Sequence, residues 1–288
     1  MKVSLPLHHG LSLEISDQPS GGESAGGEPS GGDAFPTRRL QKGLLLLHDG
    51  EELVEEAVGF GVPILKRGAQ TIFPGGAELV QRPNGSVCEV TAAFQMSLAE
   101  RLARPGGASL GPQWLYAAKD SLAALHRRSP RLRGPLTATS VALRRAFGWV
   151  TTFEESDFHA VLRATYTVHG QEGKVHVALD MTALPGDGVT EVVVMNEQGA
   201  RSFDRYRDAD GTALQGQEIG TWDEVAAATA AFVSADHGVA FSLGQVGGAR
   251  LHRGRELIGS RVAWAGFGYS LPPTLQEFHY DLRIENAS

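Results

Sequence analysis

The stretch Ala160-Val161-Leu162-Arg163-Ala164-Thr165-Tyr166-Thr167-Val168-His169, then Gly170-Gln171-Glu172-Gly173, then Lys174-Val175-His176-Val177-Ala178-Leu179-Asp180-Met181 decides the fold. Pairing Val168 with Val175 sets Tyr166 against Val177, Ala164 against Leu179 and Leu162 against Met181 on one apolar face. The other face sets His169 against Lys174, Thr167 against His176 and Arg163 against Asp180. Strand side chains alternate with period two, so a slip of one residue would put the whole apolar set in water. Gly170 to Gly173 supplies turn residues. One register satisfies every position, and the second half of the chain reads as antiparallel β.

Outward from that hairpin, strand follows strand from Thr137 on. Val192 to Met195 is apolar at every position, as in a strand buried on both faces. Ala230 to Ala235 and Val239 to Val246 flank Asp236-His237-Gly238, which reads as a three-residue hairpin loop. Thr221-Trp222-Asp223-Glu224 matches a capping box and the alanines after it favour helix, in conflict with the run of strands, and a short helical turn is the lesser of the two readings there. The chain closes with strands at Arg261 to Leu271 and Phe278 to Ile284.

Toward the N-terminus, Lys2 to Ile15 reads as an opening strand. Asp17 to Asp33 repeats Ser-Gly-Gly-Glu-like units without one large apolar residue, which predicts a disordered, dispensable loop interrupting a single domain over 1–288. Gly43 to Leu47, Asp49-Gly50 and Glu52 to Val58 form a second hairpin signature. Strands follow at Ala69 to Phe73 and Val87 to Met96. Pro112 to Arg127 carries the one helical pattern, with Leu115, Ala118, Leu122 and Leu125 at spacings of three and four.

Of 288 residues, 42% are hydrophobic and 20% charged, ample for a packed core. A net charge of -7 argues against nucleic acid or an anionic membrane as partner. Cys88 is the only cysteine, so no intramolecular disulfide forms, and it reads as an inert buried thiol. No signal peptide is legible, and no apolar run approaches the roughly 18 residues of a membrane span. A cytoplasmic protein is the expectation; the oligomeric state is left open.

Candidate chemistry is sparse. Asp208-Ala209-Asp210-Gly211 resembles a calcium loop, but Tyr206 and Gln217 occupy the first and twelfth ligand positions, so a turn is the better reading. Ten histidines show no metal-ligand spacing; His169 and His176 read as solvated strand residues, and no metal is expected. No phosphate fingerprint or nucleophile elbow is present, and no cofactor is implied. Asn196-Glu197-Gln198-Gly199 reads as a turn ending a buried strand, where Glu197 is the carboxylate best placed for acid–base work. Val58-Gly59-Phe60-Gly61-Val62 and Ala265-Gly266-Phe267-Gly268-Tyr269 echo one another, and glycines in strands mark bulges or close approaches.

The strand rhythm from Thr139 to Ile284, carried by Phe158 to Val168, Lys174 to Leu184, Glu191 to Glu197 and Trp264 to Tyr269, resembles the galactose-mutarotase-like β-supersandwich. Mutarotases carry catalytic histidines in short His-aromatic-Asn motifs; His159, His169 and His176 do not match them. The resemblance implies a large antiparallel β-sandwich, not an activity. Two functional classes stand at this point: a carbohydrate-binding or carbohydrate-processing protein, and a non-catalytic structural or interaction domain. For a carbohydrate or other small polar ligand, the expected site is Glu197 as catalytic carboxylate with Arg163, Trp264 and Tyr269 as ligand contacts.

Overall fold

The hairpin takes the register that its alternation dictates. In a computed structural model describing residues 1–19, 40–84, 87–103, 150–186, 188–258 and 262–287, the strands are β1 (Lys2–Pro6), β2 (Leu11–Ser16), β3 (Leu45–His48), β4 (Glu51–Glu52), β5 (Gly59–Arg67), β6 (Gln70–Asn84), β7 (Val87–Ala103), β8 (Val150–His169), β9 (Lys174–Asp180), β10 (Val189–Gln198), β11 (Arg205–Asp208), β12 (Ala213–Gln215), β13 (Asp223–Glu224), β14 (Thr229–Ser234), β15 (Val239–Gly244), β16 (Arg250–Ile258), β17 (Val262–Leu271) and β18 (Glu277–Asn286). Val168 pairs with Val175, Tyr166 with Val177 and Arg163 with Asp180. Met181 departs: it keeps to the apolar face, but its amide donates to the Gln276 carbonyl instead of pairing with Leu162. Gly170–Glu172 forms one 3-10 turn, closed by Gly173 at φ 59°.

Fourteen strands hydrogen-bond in the order β12-β11-β14-β15-β18-β9-β8-β7-β6-β5-β10-β17-β16-β13, every pair antiparallel. The sheet doubles back on itself. The Tyr166 hydroxyl on β8 donates to the Gly61 carbonyl on β5 at 3.0 Å, and Tyr280 on β18 reaches Asn196 on β10. Phe241 on β15 packs edge-to-face on Phe60 of β5, and Phe232 on β14 does so on Phe267 of β17. The bend runs through the three long strands. Register shifts at Phe73–Gly76 and at Met96–Leu98 lie side by side, and such bulges bend strands from one layer into another. The expected β-sandwich is therefore one sheet folded into two layers.

The sheet's two end strands are consecutive in the chain. Between β12 and β13 lies only 216–222, with a 3-10 turn at Gly216–Ile219. Across this seam the Arg253 guanidinium of β16 sits 4.7 Å over the Tyr206 ring of β11, and its Nε donates to the Ile219 carbonyl. A second sheet, β1-β2-β3-β4, joins β5 where Leu44 and Phe60 exchange both backbone hydrogen bonds. Its Leu11, Leu13, Ile15 and Leu46 belong to the same buried cluster as Phe94, Tyr166 and Phe241.

Several expectations need correction. Lys2 to Ile15 is two strands, because the chain reverses at His9 and Gly10, both at positive φ. The second hairpin is short: Asp49 and Gly50 take the positive φ values of a tight turn, but β4 ends at Glu52. At Thr221 to Glu224 the strand alternative to the capping box holds: Asp223 and Glu224 pair with β16, and tertiary pairing overrides the alanine preference. The loop before β15 has four residues, Ala235 to Gly238, since Ser234 pairs with Val239. The helical pattern at Pro112 to Arg127 and most of the Gly/Ser/Glu-rich stretch, residues 20–33, lie outside the described residues. Asp17 lies within them, and its carboxylate pairs with the N-terminal ammonium.

Candidate functional site

β10 is central, between β5 and β17, and every residue from Val192 to Ala200 is buried. The echoed Gly-Phe-Gly segments flank its end symmetrically: Asn196 pairs with Phe60 on one side and Phe267 on the other, Glu197 with Gly59 and Gly266. A Cβ at Gly266 would collide with the Asn196 carbonyl, so the glycine marks a close backbone approach.

Asn196-Glu197-Gln198 is therefore strand, not turn. Its three polar side chains each accept a backbone amide from the stretch that runs from β3 into β5: Asn196 Oδ1 from Gly61 at 3.1 Å, Glu197 Oε1 from Val58 at 2.9 Å, and Gln198 Oε1 from Leu46 at 3.3 Å. These amides would otherwise be buried donors without acceptors. Burial pushes the Glu197 carboxyl up to about 7, against the lowering pull of the Val58 amide and the Lys42 ammonium; Glu256 adds a smaller upward push.

The four residues expected to share a ligand do not converge. Trp264 lies on the outer face of β17, half-buried against Leu45, Leu47, Val54 and Ala57, with Nε1 donating to Glu256 Oε2 at 3.3 Å. Glu197 is near it on the same face, under the Val58 segment. Arg163 is exposed on the outer face of the opposite layer, across from Asp180. The Asp180 carboxyl is held low chiefly by the hydroxyl and amide of Thr182, with Arg163 a lesser cause. Tyr269 points into the core, and its hydroxyl donates to the Gly244 carbonyl at 2.6 Å.

A different cluster forms a cleft of about 650 Å³ on the outer face of β16 and β17, lined by Glu191, Trp222, Asp223, Glu224, Arg250, His252, Arg253 and Ser270. That volume falls within the roughly 300–1,000 Å³ of ordinary ligand sites. Register builds it: His252 pairs with Gly268 and Arg250 with Ser270. Gly268 leaves a hollow in which the Trp222 indole stands, stacked on His252 at 5.0 Å between centroids and 10° between planes. Arg250 meets Glu191 at 3.3 Å and Arg253 meets Asp223 at 3.7 Å. The Ser270 hydroxyl is buried in this lining and has no hydrogen-bond partner among the described residues. Sequence reading placed Trp222 in a capping-box match and gave His252, Arg250 and Ser270 no part in a site. The available signal was Gly268, whose missing side chain makes room for the indole.

A second cleft of about 410 Å³ opens over β18 and is lined by His176, His279, Asp281, Arg283, Ser242 and, at its inner wall, Tyr269, among others. His176 is not simply solvated: its Nδ1 lies 2.9 Å from Asp281 Oδ1. Asp208 closes a turn by accepting the amides of Asp210 and Thr212, in accord with a turn rather than a calcium loop. No group of three or more His, Cys, Asp or Glu able to hold a metal occurs among the described residues. No helix among them is long and apolar enough to cross a membrane.

No protein-family model matches the chain, and no curated protein matches it. Solved structures do. An alpha-N-acetylgalactosaminidase from Bifidobacterium bifidum, in complex with GalNAc, aligns with 99% of this chain at 10% identity and TM-score 0.49. This chain spans only 36% of that one. A galactose mutarotase-like protein from Clostridium acetobutylicum aligns with 77% of this chain and 75% of its own at 8% identity and TM-score 0.32. The likeness is one of fold.

Proposed function

We propose that this chain is a carbohydrate-binding β-sandwich and that the Trp222–His252 cleft holds the sugar. The observation that carries this is the Ser270 hydroxyl, buried without a partner among the described residues in a cleft where Trp222 supplies an aromatic ring and two Arg–carboxylate pairs supply donors and acceptors. A sugar ring offers apolar C–H faces to an aromatic ring and hydroxyls to charged forks and to serine. The cleft, rather than the fold likeness, supports the assignment, although both solved structures bear names from carbohydrate chemistry. We assign Glu197 and Trp264 to holding the small sheet against the large one.

A thermal-shift screen of mono- and oligosaccharides tests this, since a ligand that binds only the folded state raises its stability. A sugar that raises Tm for the parent chain, and not for Trp222→Ala or Ser270→Ala, supports the site. A sugar that stabilises all three equally places the ligand elsewhere. A screen with no stabilising sugar favours the alternative class, a structural or protein-interaction domain, which the use of the Asn196, Glu197 and Gln198 side-chain oxygens as acceptors for backbone amides also fits.

A further inference from the structure

The second cleft lies on the other layer and carries a different chemistry. Register sets Ser242 beside Arg283 and Arg283 beside Lys174, with Asp281 beside His176 one pair away on the same face. Asp281 is already engaged on both oxygens, by Lys174 at 3.0 Å and His176 at 2.9 Å. Glu277 lies 3.6 Å from His279 Nε2. The two imidazoles stack at 5.7 Å and 16°. Arg283 stands exposed and makes no ion pair among the described residues, while the residue across the ladder from it is another cation, Lys174. Glu277, Asp281 and Glu285 share this face of β18, but each already meets a partner, at His279, Lys174 and Arg207 respectively, and Arg283 is the charge left without a counterpart among the described residues.

We propose that this cleft is a second site, separate from the Trp222 cleft, that binds the oxyanion group of a small ligand: a phosphate monoester or a carboxylate. Arg283 offers the planar fork that grips such a group bidentately. His176 is oriented by its Nδ1 contact with Asp281, which turns its other ring edge away from that carboxylate, and His279 lies alongside. The Ser242 and Thr229 side chains line the same cleft and can complete the oxyanion's hydrogen bonds.

Titration of the full chain with inorganic phosphate, and in parallel with acetate, tests this by NMR of the imidazole signals. The expected result is a saturable shift confined to His176 and His279. Tighter binding of phosphate assigns a phosphate group to the ligand, and tighter binding of acetate a carboxylate. Arg283→Ala and the bulkier Arg283→Gln should each weaken binding roughly tenfold or more, as for loss of a charged partner, with Tm unchanged. Arg82→Ala, an exposed arginine on β6, should leave the affinity as it was. Absence of a saturable shift, unchanged affinity in both Arg283 variants, or equal weakening by Arg82→Ala would overturn the proposal.

Discussion

The Glu197 carboxyl, on the outer face of β10, accepts the Val58 amide at 2.9 Å, so a central strand of one sheet grips the segment that leaves the other. The carboxyl is buried and pushed up from its ordinary 4.5 to about 7. Between those values the folded chain holds a proton that the unfolded chain has released. Stability from this group therefore falls as pH rises from about 4.5 to about 7 and is flat above, a loss on the order of 3 kcal/mol. Glu197→Gln keeps an oxygen for Val58 and removes the titration. Melting curves at pH 5 and pH 8 should show a smaller drop for the variant than for the parent; parallel drops would clear Glu197 of the effect.

Asn196 Oδ1 accepts twice, from the Gly61 amide and from the Tyr280 hydroxyl at 2.7 Å. Tyr280 is buried, and burial drives its phenol well above its usual range, so it stays a donor. Tyr280→Phe deletes this side-chain hydrogen bond between β18 and β10. A loss of about 1–2 kcal/mol in urea unfolding is expected. A neutral substitution would mean that the Tyr280 bond adds nothing to the packing between the layers.

Gly268→Ala tests the hollow beneath Trp222. A Cβ there would collide with the indole, which must leave its stack on His252. The expected cost is about 1–3 kcal/mol, with a change in tryptophan fluorescence. An unchanged emission spectrum and an unchanged Tm together would show that the ring is not seated there.

Arg253 joins the seam between β16 and β11. Arg253→Lys keeps the charge but loses the Nε bond to Ile219 and the flat contact over Tyr206. Roughly 1–2 kcal/mol of stability should disappear. Hydrogen exchange should quicken at β11 and β13 before other strands; a uniform change along the chain would contradict a local seam.

What the sequence makes legible follows from the range of the interaction. The β8–β9 register was readable because nearly every partner lies within twenty residues and the alternation over-specifies the pairing. The burial of Val192 to Met195 was readable from composition. Asn196 to Gln198 was misread because polar residues are buried only when distant groups satisfy them, and Leu46, Val58 and Gly61 lie more than 130 positions away. The Gly-Phe-Gly echo did carry the answer: it marks the two neighbours of one strand. The Trp222 cleft depends on β16 pairing with β17 and β13 with β16, which no local pattern states.

The position of β10 between β5 and β17 also bears on the order of folding. Hairpins such as β6–β7, β8–β9 and β14–β15 close short loops and can form early. Seating β10 requires closing a loop of more than a hundred residues back to β5 before its hydrogen bonds form, and such non-local pairing is slow. Substitutions at Asn196 and Gln198 are therefore expected to act after the rate-limiting step: they should speed unfolding in a chevron experiment and leave the refolding rate nearly untouched.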